Sequence, residues 1–71
     1  MKIRVNGRER EVDTADGGPE SPLEAILEQL GVGARPVLVE HNGTALHTRE
    51  WGEVTVREGD TLEVVQIVAG G

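Results

Sequence analysis

"SPLEAILEQLG", Ser21 to Gly31, is the stretch that decides how this chain folds. Leu23, Ile26, Leu27 and Leu30 recur at i, i+3, i+4 and i+7, which draws one apolar stripe along an α-helix. Glu24, Glu28 and Gln29 fall off the stripe. Ser21-Pro22-Leu23-Glu24 has the form of a capping box with proline at the first helical position. Gly31 supplies a left-handed stop. A helix of little more than two turns does not persist alone in water, so its stripe must lie on a sheet.

The flanking sequence provides one. Upstream, "KIRVNGREREV" alternates Ile3 and Val5 with Lys2 and Arg4, then reaches Asn6-Gly7, a dipeptide suited to a tight hairpin turn. Glu9 to Val12 is the expected returning strand, and "DTADGGPE", Asp13 to Glu20, reads as a loop. Downstream, "PVLVEHNG" reads as a third strand with a turn at Asn42-Gly43. Val37 and Val39 point inward there, and Leu38 and Glu40 outward. Thr48 to Trp51 is irregular, "EVTV" is a brief strand, "REGD" (Arg57 to Asp60) a turn, and "TLEVVQIV" a long final strand. The expected order is ββαβββ: an α+β domain, one helix packed on a mixed four- to five-stranded sheet.

Composition narrows the function. Seventy-one residues make one domain with a small core and little room for a deep pocket. There is no cysteine, which removes disulfides, thiolate metal sites and cysteine nucleophiles. With no signal peptide either, a cytoplasmic protein is expected. No apolar run approaches the roughly 20 residues that cross a membrane. A formal net charge of -6 opposes nucleic acid and anionic lipid, and favours a partner protein with a basic patch. The single aromatic residue, Trp51, gives no stacking platform for bases.

Catalytic motifs are absent. Gly17-Gly18 and Gly31-x-Gly33 match no phosphate-binding loop and read as turns and caps. Ser21 is assigned to the helix cap, and no nucleophile elbow surrounds it. His41 and His47 could join Glu40 and Glu50 around a metal, but they lack a ligand spacing and read as solvated turn residues. Asn42-Gly43-Thr44 fits a glycosylation acceptor and is read as a turn.

The informative end is "QIVAGG". With Leu62 and Val64 inward, Val65 and Ile67 join Glu63 on the face away from the helix. Together with Leu38 they leave apolar side chains on a side of the sheet that no second layer covers, which reads as a protein-docking patch. Ala69 continues it towards Gly70 and Gly71, so residues 1–68 are expected as the folded domain and 69–71 as a flexible tail. A carboxylate is a poor electrophile until it is joined to AMP, when a sulfur or nitrogen nucleophile can attack it. Glycine suits that position. It passes a narrow channel, leaves the carbonyl unhindered and has no stereocentre to epimerise.

These pieces together resemble the ThiS family of sulfur carriers, which has the ubiquitin-like β-grasp fold. The similarity rests on "IRVNG", "SPLEAILEQLG", "VEHNG", "REW" and "REGDTLEVVQIVAGG", in this order and spacing. It implies that an E1-like, ThiF-like enzyme adenylates the carboxyl of Gly71 with ATP and magnesium. Sulfur from a donor protein then gives a thiocarboxylate, used by a ThiG-like thiazole synthase. Gly71 would carry the sulfur and Gly70 would be its flexible neighbour. Val65 and Ile67 would belong to the face shown to partners, as would Leu38 and Ala69. The chain itself would be a carrier rather than an enzyme, with no bound cofactor or metal, and a monomer when free. The alternatives are sulfur supply to molybdopterin, tRNA thiolation or cysteine synthesis, a ubiquitin-like modifier, and an interaction domain in which the two glycines are incidental.

Overall fold

The computed structural model describes residues 1–14, 17–32 and 36–67. β1 (Lys2–Val5) and β2 (Arg8–Glu11) form the opening hairpin. Asn6 and Gly7 have φ of 52° and 81°, the left-handed pair that matches a two-residue turn to the twist of the strands. The returning strand thus begins one residue earlier than its alternation suggested. β3 (Glu20–Pro22) leads into α1 (Leu23–Gln29). β4 (Val37–His41) and β5 (Thr44–Leu46) make a second hairpin about Asn42-Gly43, with φ of 49° and 85°. A 3₁₀ helix (Thr48–Glu53), β6 (Thr55–Arg57) and β7 (Thr61–Gln66) complete the described elements.

The main sheet has five strands in the order β2-β1-β7-β4-β5. β7 runs parallel to β1 and antiparallel to β4. One helix lies on one face of this mixed sheet, which is the expected α+β, β-grasp arrangement. Its membership corrects the reading from sequence. The "EVTV" segment does not enter the main sheet, because β6 pairs with β3 in a separate two-stranded ribbon. Its place in the main sheet is taken by β5, which the sequence pattern did not reveal.

The capping box is also absent. Ser21 lies inside β3, opposite Val56, and its side chain is buried rather than turned over the helix end. Pro22 is the N-cap residue and makes no side-chain cap bond. The helix start is served instead from across the fold: the Leu23 N–H donates to the Val54 carbonyl at 2.9 Å. The other end follows the sequence. Gly31 has φ of 80°, its N–H donates to the Glu28 carbonyl at 3.0 Å, and the Val32 N–H donates to the Leu27 carbonyl at 3.1 Å. That pair of bonds satisfies two carbonyls the last turn would leave open. Gln29 fastens this end to the end of β2. Its amide accepts from the Asp13 N–H at 2.8 Å and donates to the Asp13 carbonyl at 2.7 Å.

Leu23, Ile26 and Leu27 are buried against Ile3, Val5, Val37, Val39 and Leu62, as their two periods require. Leu30 and Val64 were expected in this group and are only partly buried at its margin. Val12, Val56 and Trp51 complete the core. Trp51 brings a large apolar side chain from the 3₁₀ helix, and its indole Nε1–H is buried without a hydrogen-bond partner.

Leu27 is 1 % exposed, and the domain is too small to share the loss of its contacts widely. Leu27→Ala will cost about 2–5 kcal/mol, a large part of the stability of a small domain. A urea midpoint equal to that of the unsubstituted protein would show that the helix stripe is not the centre of the core.

Candidate functional site

The pleat sorts the side chains of the main sheet onto two faces. Ile3, Val5, Val37, Val39 and Leu62 point to the helix. The opposite face carries Leu38, Val65 and Ile67, which are 59 %, 56 % and 42 % exposed and are the large apolar residues most open to solvent among the described residues. All three sit where the sequence phase put them. Leu38 and Val65 are cross-strand partners on β4 and β7. The Ile67 N–H donates to the Pro36 carbonyl at 2.9 Å, which carries the pairing one step past the end of β7. The patch therefore lies on firmly paired backbone at the end of β7 from which the chain runs on to residues 68–71. Ala69, Gly70 and Gly71 lie outside the described residues.

Beyond the patch the same face becomes charged. Glu40 and Glu63 are partners on β4 and β7, one pleat from Leu38 and Val65. Lys2 and Arg4 project from β1, opposite Glu11 and Glu9 of β2. Glu11 has a cation of its own: the Met1 ammonium donates to its Oε2 at 2.8 Å. That hydrogen bond, more than the charge itself, holds the Glu11 carboxyl below its usual range and raises the ammonium above its own.

β7 is held by both Asn-Gly turns. Asn6 reaches past the end of β1, donating from Nδ2 to the Val64 carbonyl at 3.0 Å and accepting from the Val64 N–H at 2.7 Å. Its side chain thus continues the ladder where the backbone of β1 turns away. On the other side the Asn42 N–H donates to the Thr61 carbonyl, and Asn42 Oδ1 accepts from the Thr61 N–H, each at 2.9 Å. The sequence marks both asparagines as turn residues. Their hold on a distant strand has no local signal.

The reading that placed both histidines in solvent holds for His47 and fails for His41. His47 is exposed at the start of the 3₁₀ helix, where its N–H donates to Glu50 Oε1 at 2.7 Å. His41 is mostly buried, and its Nε2–H donates to Asp60 Oδ2 at 2.8 Å. Asp60 also accepts from the Arg57 N–H at 2.9 Å, which closes the turn before β7. Burial raises the Asp60 carboxyl, but the Arg57 N–H, the His41 ring and the Asn42 amide together outweigh it and leave the group below its ordinary value of 3.8. The pair clasps the start of β7, at the opposite end of the strand from the apolar patch. Among the described residues no three His, Cys, Asp or Glu side chains gather as metal ligands do. Among the same residues no helix is long and apolar enough to cross a membrane.

A domain with no catalytic constellation among its described residues, one uncovered sheet face and a glycine pair in its sequence invites comparison with known proteins. The model of the ThiS family matches residues 3–71. The chain belongs to the ThiS family. ThiS proteins are the sulfur carriers of thiamine biosynthesis. The ThiS crystal structure from Geobacter metallireducens, described as a thiamine biosynthesis protein, superposes with a TM-score of 0.81 at 33 % identity, and the match covers the whole of both chains. A solution structure of a thiamine biosynthesis protein from the same organism gives 0.76 at 32 % identity, over all of this chain and 88 % of that one. Two curated relatives are thiazole synthases, from Paramagnetospirillum magneticum and Magnetococcus marinus. Each is 37 % identical over all 71 residues. This ThiS chain spans about a fifth of their length, 20 % in each case.

Two outcomes test the division of labour along β7. Val65→Asp and Ile67→Asp will leave the melting temperature nearly unchanged, since both side chains already meet water; unfolding by either charge would reverse the assignment of faces. At the other end, Asp60 has its folded value below 3.8, so its contribution is complete above that pH and is lost as the pH falls through the lower, folded value. Asp60→Asn will be less stable than the unsubstituted protein at pH 6, and the gap will close in acid below 3.8. A gap that stays constant between pH 6 and pH 2 would mean that the carboxylate form adds nothing.

Proposed function

We propose that this chain carries sulfur on the carboxyl group of Gly71 for thiazole formation. The observation that carries the reading is the extent of the family match, which runs through residue 71 and so includes Gly70 and Gly71. Chemistry supports the assignment. A carboxylate oxygen of Gly71 attacks the α-phosphorus of magnesium-bound ATP in an E1-like activating enzyme and displaces pyrophosphate. The terminal sulfur of a persulfide on a donor protein then attacks the acyl carbon and AMP leaves. A thiol next attacks the donor's sulfur in the resulting acyl disulfide, which breaks the S–S bond, forms a disulfide with the donor and frees the terminus as a thiocarboxylate. ATP and magnesium are substrates held by the activating enzyme, and this chain is the carrier rather than the catalyst.

The absence of side chains at Gly70 and Gly71 lets this segment extend into a closed channel at about 3.3 Å per residue. The apolar patch of Leu38, Val65 and Ile67 supports docking of the domain beside such a channel, with Ala69 between the patch and the glycines. The names of the relatives favour a thiazole synthase as the acceptor of the sulfur over the molybdopterin, tRNA and cysteine alternatives.

The deciding experiment is ATP–pyrophosphate exchange with the activating enzyme of the same organism, alongside circular-dichroism melts. Deleting Gly71 withdraws the carboxyl by about 3.3 Å, more than in-line attack on phosphorus tolerates. That deletion, one residue added after Gly71, and Gly70→Val will each keep the fold and abolish exchange. Intact mass after a full reaction with the sulfur donor will show one oxygen replaced by sulfur. Full exchange by the Gly71 deletion, with the fold unchanged, would end this reading.

A further inference from the structure

The open face holds a pairing that the fold itself does not favour. Glu40 and Glu63 stand directly opposite each other on β4 and β7, both exposed and both on the face away from α1. Cross-strand partners have Cβ atoms about 5 Å apart, and like charges at that spacing destabilise the sheet. Elsewhere among the described residues, Glu11 is matched by the Met1 ammonium, Glu20 by Arg57 and Asp60 by His41. None of these ion pairs involves Glu40 or Glu63. Arg4, the nearest cation on the neighbouring strand, is aligned with Thr61 and forms no ion pair with Glu63. The carboxylate pair also adjoins the apolar pair Leu38–Val65 on the same two strands. An apolar spot beside two unmatched carboxylates is complementary to a surface that offers an apolar side chain next to a cation.

We infer that this face docks a thiazole synthase surface that presents an arginine flanked by apolar side chains, with the guanidinium between Glu40 and Glu63 and the apolar groups over Leu38, Val65 and Ile67. The inference rests on the reading of the chain as a sulfur carrier for such a synthase. Arginine fits because its planar fork of donors can serve two carboxylates at once, which a lysine ammonium does less well. A second copy of this chain does not fit. A two-fold contact through the same face would bring four carboxylates together between molecules of net charge -6. In this arrangement the glutamates give specificity and steering, and the apolar residues are shielded from water.

The test uses the purified thiazole synthase of the same organism and calorimetric titration at several salt concentrations. The double variant Glu40→Gln with Glu63→Gln will bind roughly tenfold more weakly, and its affinity will depend less on salt. Its melting temperature will be equal or higher, because the repulsion is gone. Glu28→Gln with Glu53→Gln makes the same change in net charge on exposed positions away from the pair, and will bind within about twofold of the unsubstituted protein. Equal affinity in the Glu40/Glu63 variant, an equal loss in the Glu28/Glu53 variant, or a lower melting temperature in the former would each overturn the inference. So would a dimer of the unsubstituted protein in sedimentation that Val65→Asp disperses. Unsubstituted protein that supports ATP–pyrophosphate exchange but does not bind the synthase sinks the docking inference and leaves the activation step standing. Failure of exchange itself sinks both.

Discussion

β7 is gripped on both sides, and the rest of the domain is arranged around that grip. Its neighbours meet it in opposite senses, β1 parallel and β4 antiparallel. A parallel pairing of two registered residues would be a weak join alone. The side chain of Asn6 extends it, supplying the donor and the acceptor that Val64 would otherwise lack on that side. Asn42 does the same service for Thr61 from the other hairpin. Because β7 is fixed in register, Leu62 is committed to the core and Val65 to the open face. A slip of one residue would exchange them.

That commitment gives the molecule two working surfaces of different character. The covered face is apolar and closed by α1, the 3₁₀ helix and the β3–β6 ribbon. The open face is a single pleated layer whose composition changes along β7, from charged near its start to apolar near its end. A sheet face without a second layer normally avoids large apolar groups. Here they are confined to the end from which the chain continues to the glycines. Leu38, Val65 and Ile67 thus share one end of the open face, while Glu40 and Glu63 hold the part beside it.

The sequence exposed the parts of this plan that are periodic. The helix stripe is one such part, and the alternation in β1, β4 and β7 is another. The alternation of β4 puts Leu38 on the open face, and that of β7 puts Val65 and Ile67 there. What failed was short or non-local. β3 and β5 have three residues each, too few to carry a period. The residues Ser21 to Glu24 satisfy a helix-cap pattern, yet Ser21 is drawn into a strand by its pairing with Val56, a contact the local sequence cannot express. Trp51 stands outside every periodic segment, so nothing marked it for the core. The burial of His41 depends on Asp60, nineteen positions away. At Gly70 and Gly71, the chemistry of glycine and the family match support the reading, and the described geometry stops short of them.

The pairing of β1 with β7 has a consequence for how the domain comes into being. Ribosomes make proteins in one direction, so residues 2–5 leave the exit tunnel long before residues 61–66 exist. Until then the first hairpin has an unpaired edge, α1 has only part of its floor, and the open face lacks its middle strand. Closing a contact across nearly the whole chain is slow compared with local helix or hairpin formation. The five-stranded sheet is therefore complete only when β7 slots between β1 and β4. A nascent chain halted before β7 displays neither the complete apolar patch nor the glutamate pair, because each needs a residue of β7 opposite one of β4.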